Sequence, residues 1–413
     1  MKKVKKIIMD ISKKNKLFRK FAKKARIIIE KIKYNRYKYT TKVDDKTILF
    51  EAYQGRNYAC SPKEIYLQML KDPRFKDFKF IWCFKEIDRD FEDKRTTLVK
   101  RGTKEYYKTY AKAKYWIVNS LVHESIVPKK KQVFVQCWHG TPLKKLRCDI
   151  EFDSLLNDVK DIRKRNDIDA RRFDYFISPS KFCTEKFTSS FNLKKLKKEN
   201  IMIEEGYPRN DFLFSYTEED VKKLKKELKL PNDKKVILYA PTFRDNQHKS
   251  GVGYTYELGI DLDKLQDKIS DEYIILFRTH YFVANSIDLE KYKGFIYDVS
   301  KYDDISRLYV ISDLLITDYS SVFFDFANLK RPMLFYMYDF DEYKNQLRDF
   351  YIDIEELPGP IIDKEEDLIN EINNIKNYEK TYKDKYKKFN EKFNYLDDKN
   401  SSKRVIDKIF KNL

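Results

Sequence analysis

What is missing narrows the reading of this 413-residue chain before any motif is considered. Its five cysteines, Cys60, Cys83, Cys137, Cys148 and Cys183, are scattered without a CxxC pair. That spacing excludes a zinc ribbon and a secreted disulfide framework, and fits reduced cytosolic thiols. No apolar run approaches the roughly 18–20 residues of a membrane span. The apolar patch at residues 7–11 is too short for a signal-peptide core, and Asp10 interrupts it. Histidine is scarce, with four residues in the whole chain. No short-period repeat and no long low-complexity linker is present.

What remains is rich in aromatics and charge. Hydrophobic residues make up 42% and aromatics 15%, so a sizeable core is available, and the length suits two or three domains. Charged residues reach 37%, which implies a heavily solvated surface. The net charge of +20 is uneven: within residues 1–38, sixteen Lys and Arg face only Asp10 and Glu30. The rest of the chain is nearly balanced. Leu17, Phe18, Phe21, Ala22, Ala25, Ile28, Ile29 and Ile32 recur at helical spacing with Lys and Arg between them. The pattern predicts a basic amphipathic helix suited to an anionic membrane surface, where each basic residue contributes on the order of 1 kcal/mol. A helix docked on its own domain, and a polybasic arm for nucleic acid, are the other uses of such a segment.

From Thr47 the pattern becomes strands alternating with helices. Strands are expected at residues 47–53, 78–84, 115–118, 132–138, 175–178 and 201–205. Helices are expected at 62–71, with Ser61 as N-cap and Pro62 in first position, and at 104–112 and 181–190. A charged helix at 217–230 ends at Pro231 and marks a boundary. Alternation then restarts, with strands at 236–240, 273–278, 295–297, 314–316 and 333–336. Helices fall near 263–269, 303–311 and 321–329, and terminal helices follow Lys364. The last, near 402–410, is expected to cross back to the first unit. Such alternation predicts an α/β fold with parallel sheets and crossover helices. The implied division is an arm over 1–40, an N-terminal unit over 41–225 and a C-terminal unit over 226–413. Residues 245–254 look like a mobile surface loop.

Several strand ends carry chemistry, and in open α/β sheets ligands bind outside the carboxyl ends of strands. Residues 313–336, DLLITDYSSVFFDFANLKRPMLFY, read as strand, polar turn, helix, strand. Ser320 and Ser321 open that helix and offer hydroxyls and N–H groups to a phosphate; a plain helix cap is the alternative. Another strand delivers His139 into Gly140-Thr141-Pro142, where the imidazole can take a proton from a substrate hydroxyl near neutral pH. Arg278 and His280 flank Thr279 at a further strand end and point the same way in extended geometry, towards one anion or an Arg–carboxylate bridge. Pro241-Thr242, followed by Arg244, and Arg209 in the turn 206–211 complete a set rich in phosphate donors and short of metal-ligand carboxylates. It suits transfer of a phosphoryl-linked group without a tightly held metal.

Together these segments resemble the CDP-glycerol:glycerophosphotransferase family of teichoic acid synthesis. The matching motifs are WHGTPLKKL at 138–146, GYPRND at 206–211, YAPTFRD at 239–245, FRTHY at 277–281 and the block at 312–336. The similarity runs from about Thr47 to Ile362. It implies a GT-B fold, two Rossmann-like domains facing a cleft, here preceded by the basic helix. It implies transfer of glycerol phosphate from CDP-glycerol to a hydroxyl of a lipid-linked polyol-phosphate acceptor, with release of CMP. On that model His139 is the general base, and His280 and Arg278 steady the pyrophosphate and departing CMP. Trp138, Gly140, Thr141, Pro142, Arg209, Pro241, Thr242, Thr279, Ser320, Ser321 and Asp325 line the substrate site. No metal ligand, resident cofactor or nucleic-acid partner is expected, and the arm would hold the protein peripherally at the cytoplasmic membrane face. Only that arm precedes Thr47, whereas long polymerases of the family carry a large N-terminal region. CDP-ribitol as donor, a sugar-nucleotide glycosyltransferase, and a non-catalytic protein binding a polyanion or membrane are the competing readings.

Overall fold

The alternation folds into two parallel sheets, each covered by helices. A computed structural model describes residues 16–151, 159–242, 248–249, 253–254, 259–279, 288–340, 343, 349–411 and 413. The 7–11 patch, Arg244, His280 and most of 245–254 therefore lie outside the described residues, as do the side chains of 16–20 and 23.

Helix α1 (Lys16–Thr40) leads into β1 (Asp44–Glu51), α2 (Cys60–Lys71), β2 (Lys79–Phe84), β3 (Thr96–Lys100), α3 (Lys104–Lys112), β4 (Ala113–Val118) and β5 (Val133–Gln136). Then come α4 (Val159–Arg171), β6 (Tyr175–Ser178), α5 (Lys181–Ser190) and β7 (Met202–Glu204). The strands pair in the order β3-β2-β1-β4-β5-β6-β7, all parallel. Because alternate residues of a strand face opposite ways, Ile48, Phe50, Phe80, Trp82 and Phe84 pack under α2. Leu49, Cys83, Trp116 and Phe134 pack on the other side with Tyr106 and Tyr110 of α3. Both faces are filled over the centre of the sheet, as a parallel sheet requires, while β3 at its edge keeps only one buried side chain. Phe50 stacks on Trp82 at 5.2 Å and meets Tyr66 edge-on at 5.5 Å, contacts worth about 0.5–1.5 kcal/mol each.

Two local departures from expectation have simple causes. Helix α2 starts at Cys60 with Ala59 as its N-cap, not at Pro62 capped by Ser61. Cys60 turns the chain with φ +67°, and Pro62 still falls within the first turn, where its missing N–H costs nothing. Strand β3 was not expected, because only Val99 of its five residues is buried.

Helix α6 (Glu218–Glu227) joins the sheets, and Thr217 and Asp220 form a reciprocal cap at its start. The second half runs β8 (Lys235–Ala240), a ribbon of β9 (His248–Lys249) and β10 (Gly253–Tyr254), α7 (Leu262–Ile269), β11 (Tyr273–Phe277) and β12 (Ile296–Asp298). It continues through α8 (Ile305–Ile311), β13 (Leu314–Thr317), α9 (Val322–Phe326), β14 (Met333–Tyr336) and β15 (Ile361–Ile362). The order is β12-β11-β8-β13-β14-β15, again all parallel. The helix expected at 321–329 is split: after α9 the chain tightens into a 3-10 turn, Ala327–Leu329, and Lys330 ends it in the left-handed region at φ +55°.

Helices α10 (Glu365–Asn373) and α11 (Tyr378–Phe393) are followed by α12 (Ser401–Ile409). This last helix crosses back to the first sheet: Phe410, just beyond it, meets Phe75 at 5.0 Å and Tyr115 at 4.4 Å. Asp211 fixes its start by accepting the Ser401 and Ser402 N–H groups at 3.1 and 2.9 Å. The carboxyl ends of β1 and β5 in one sheet, and of β8, β11 and β13 in the other, open onto a common cleft. This is the GT-B arrangement.

Candidate active site

Strand β5 ends at Gln136, and the chain then turns sharply. Trp138 takes φ +50°, a left-handed conformation that costs a bulky residue about 1–3 kcal/mol. Its N–H donates to Gln136 Oε1 at 2.9 Å, and its indole packs edge-on against Phe191 at 5.1 Å. The strained turn points His139 into the cleft, where the residue is exposed to water. The ring's Nδ1–H donates to the Asn119 carbonyl at 3.0 Å. A carbonyl can only accept, so this bond fixes the tautomer and leaves the Nε2 lone pair for a proton.

Protein crowds the other sides of the His139 ring. The lost hydration pushes its pKa down, the Asn119 bond pulls it up, and Arg209 and Arg147 push it down again, to about 4. The side open to water limits that loss. What carries into the chemistry is the direction, a neutral imidazole at neutral pH.

Gly140 follows with φ +153°, and a Cβ there would stand 3.1 Å from Ser321 Oγ. The two walls therefore meet at this glycine, and a side chain would force them apart. Thr141 accepts from Cys183 Sγ at 3.5 Å, and Pro142 lines the cleft beside it.

The facing wall comes from the second sheet. Asp318 accepts the Thr242 N–H at 2.7 Å, so the loop after β8, Pro241-Thr242, is tied to the loop after β13, which carries Ser320 and Ser321. Ser321 precedes α9 but makes no capping bond with its side chain, so the cap reading does not account for its hydroxyl. Thr279 also lines the cleft, and its buried Oγ1 has no partner among the described residues. The cleft holds about 560 Å³.

Three expectations need correction or stand apart. Arg278 lines the cleft, yet its Nη1 donates to the Val299 and Tyr302 carbonyls at 2.8 and 2.9 Å. Part of its fork is thus held by backbone, not by an anion or a carboxylate. Arg209 and Asp325 do not line the cleft: they pair with each other behind it, both buried. Arg209 also donates to the His139 carbonyl, so one guanidinium grips both walls. Burial opposes its charge, but Asp325 outweighs this and holds Arg209 well above the usual arginine range. Burial lifts Asp325 while Arg209 pulls it back; the pair is ionised, since a guanidinium does not give up its proton. His280 lies outside the described residues.

Sequence reading missed three contributors. Tyr53, at φ +48° after β1, lines the cleft and sets its ring edge-on to His139 at 6.2 Å. Asn119 Oδ1 accepts the Tyr53 N–H at 2.7 Å, so one residue after β4 orders both Tyr53 and His139. Lys144 lines the cleft, and its backbone bridges to Phe350 of the second half. The only sequence signal was position after a strand. Among the described residues no group of three or more His, Cys, Asp or Glu is placed to hold a metal ion.

Residues 33–411 match the family model described as CDP-glycerol:poly(glycerophosphate) glycerophosphotransferase. The chain belongs to that family. Within the glycerophosphotransferase family it is 41% identical over 373 residues to the teichoic acid poly(glycerol phosphate) polymerase of Bacillus subtilis (strain 168), covering 89% of this chain and 49% of the relative. The chain thus spans about half the length of that polymerase. It is 36% identical to the teichoic acid glycerol-phosphate transferase of Staphylococcus aureus (strain NCTC 8325 / PS 47), covering 93% and 98% of the two chains. The solved wall teichoic acid polymerase TagF superposes with a TM-score of 0.85 at 38% identity, covering 96% of this chain and 97% of that one. A histidine-to-asparagine variant of TagF has also been solved with CDPG after a 15 minute soak.

Proposed function

We propose that this chain transfers glycerol phosphate from CDP-glycerol to a hydroxyl of a membrane-lipid-linked polyol-phosphate acceptor and releases CMP. One observation carries the reading: His139, with Nδ1 committed to Asn119, shares a cleft with Ser321 across a glycine that keeps the two walls in contact. The acceptor binds on the wall from residues 41–225 and the donor on the wall from 226–413. His139 Nε2 takes the proton of the acceptor hydroxyl as its oxygen bonds to the glycerol-bearing phosphorus. The bond from that phosphorus to the bridging oxygen breaks, and CMP leaves with the electron pair. Ser320, Ser321, Thr242, Thr279 and Arg278 supply the donors that stabilise charge on the pyrophosphate, an arrangement that acts best when fixed beforehand. Membership of the family and the CDPG soak of the related TagF variant support a CDP-linked donor.

The deciding experiment offers CDP-glycerol, CDP-ribitol and UDP-sugars with a lipid-linked acceptor analogue, then weighs the product. CMP release and a mass increase of one glycerol phosphate are expected from CDP-glycerol. Ribitol phosphate addition would change the donor. No release from any CDP-polyol by folded protein would remove the reading.

Helix α1 supplies a place for the membrane. Tyr34 Oη donates to the Val127 carbonyl at 2.9 Å, and Ser125 Oγ to the Ile27 carbonyl at 2.9 Å, which dock one side of the helix. On the other side Phe21, Ile28 and Ile32 stand 69%, 57% and 66% exposed, beside exposed Lys24, Lys31 and Arg36. Apolar side chains with flanking cations suit an anionic bilayer, which supports a peripheral position at the cytoplasmic membrane face. Co-sedimentation with phosphatidylglycerol vesicles should fall by half or more, as an order of magnitude for lost apolar contact, in F21S/I28S/I32S. Undiminished binding would move the contact elsewhere.

A further inference from the structure

A second hollow of about 600 Å³ lies on the N-terminal half, away from the cleft. It is built by an incomplete cover. Strand β3 is the edge of its sheet, and α3 crosses only part of the face it shares with β2. Lys79 and Ile81 of β2, and Thr97 and Val99 of β3, are left to line the hollow with one side of α3. Thr97 is exposed and Ile81 half-buried, whereas a parallel sheet is ordinarily covered on both faces.

The rim is cationic. Lys76, Lys79, Lys94, Arg95, Lys108 and Lys112 line the hollow with two carboxylates, Asp77 and Glu105; beside it Asp93 holds Arg95 at 2.7 Å, and Asp44 stands 3.7 Å from Lys112 and faces Lys79. Asp77 is held by Lys46 at 3.3 Å, and Glu105 by Lys108 at 3.8 Å. Lys76, Lys79 and Lys94 are exposed and have no ion pair among the described residues. Clustered unpaired cations beside a low-dielectric wall concentrate a field that attracts anions.

We infer that this hollow binds the phosphodiester backbone of an anionic chain, which on the function proposed above is the growing polyol-phosphate product. Its concavity receives a strand of linked phosphates and not a flat bilayer. It also lacks the large exposed apolar side chains that α1 presents. Thr47 of β1 and Lys79 of β2 line the hollow, whereas the cleft opens at the carboxyl ends of β1 and β5. Along β1, Thr47 at the hollow and Tyr53 at the cleft stand six residues, about 20 Å, apart. A single glycerol phosphate unit therefore cannot occupy both, but a chain of several units can. The hollow would retain longer products while the terminal hydroxyl returns to His139.

The test measures binding of a fluorescent, chemically prepared poly(glycerol phosphate) chain of several units to the full protein without nucleotide. K76Q/K79Q/K94Q should weaken it about tenfold at low salt, with the difference shrinking as salt rises. CMP release with a one-unit acceptor should stay unchanged. The same three-charge change on exposed α11, K380Q/K383Q/K387Q, should leave chain binding as it was. Equal weakening by both variants, unchanged binding in the first, or no binding by the natural protein overturns the inference. So does a loss seen only with phosphatidylglycerol–phosphatidylcholine vesicles, which would make the hollow a membrane contact. Binding is read without turnover, so failure of CDP-glycerol as donor would count against the proposed reaction and not against the hollow.

Discussion

His139→Ala should leave CDP-glycerol bound and lower kcat for CMP release by about 10²–10⁴-fold, the usual worth of a positioned general base. The residue is exposed to the cleft and supports no core, so the variant should fold; circular dichroism and donor affinity, both unchanged, would establish that. Near-natural turnover would remove the imidazole from the reaction. The pH profile provides a separate check. On the proposed reaction the reactive form is the neutral ring, and the crowding walls push its pKa below the ordinary value. The acid limb of kcat/KM should accordingly lie below the ordinary histidine value of about 6.5, with the rate level from pH 8 through pH 6. A limb at the ordinary value would mean that the ring keeps its full hydration. The same shift acts on stability. Between about 4 and the unfolded value the unfolded chain binds the extra proton. This group's contribution is therefore constant above the unfolded value and falls as pH drops through that window.

Arg209→Ala should destabilise the fold by about 3–5 kcal/mol, because it leaves Asp325 as an unpaired buried charge. Asp325→Ala should cost a similar amount by leaving the guanidinium. Thermal unfolding reads both. Arg209 also holds the His139 carbonyl, so either change should lower kcat in the fraction that folds, more than it raises KM for the donor. The double variant Arg209→Met with Asp325→Leu should lose clearly less stability than the two single losses added together, since neither charge is then stranded. Additive losses would show that the two side chains do not act as a pair. A direct role in gripping substrate predicts the reverse kinetic pattern, with KM moving first.

These two cases divide what could be read from sequence and what could not. The place of His139 in the cleft was legible because loops at the carboxyl ends of strands in open α/β sheets face the ligand site. Arg209 and Asp325 were legible as polar residues in family motifs but were assigned to the wrong place. They are 116 residues apart, and nothing in either segment indicates that each satisfies the other's charge. Arg278 was half legible: its position at a strand end is visible, but the carbonyls of Val299 and Tyr302 that hold it come from a turn some twenty residues on. Tyr53 and Asn119 gave no signal because the groups they meet, each other and His139, come from three separate loops. Strand β3 escaped notice because an edge strand with one buried side chain does not form an apolar run.

The sequence alone determined the two-sheet α/β fold, since strands buried on both faces must be written as apolar runs and crossover helices as periodic ones. It also marked which strand ends carry polar and charged side chains. Only the tertiary structure decided which of those polar residues face the cleft and which are spent holding it together. Local pattern reports whether a residue is buried, but a hydrogen bond or ion pair between distant segments is set by where the chain brings its partner.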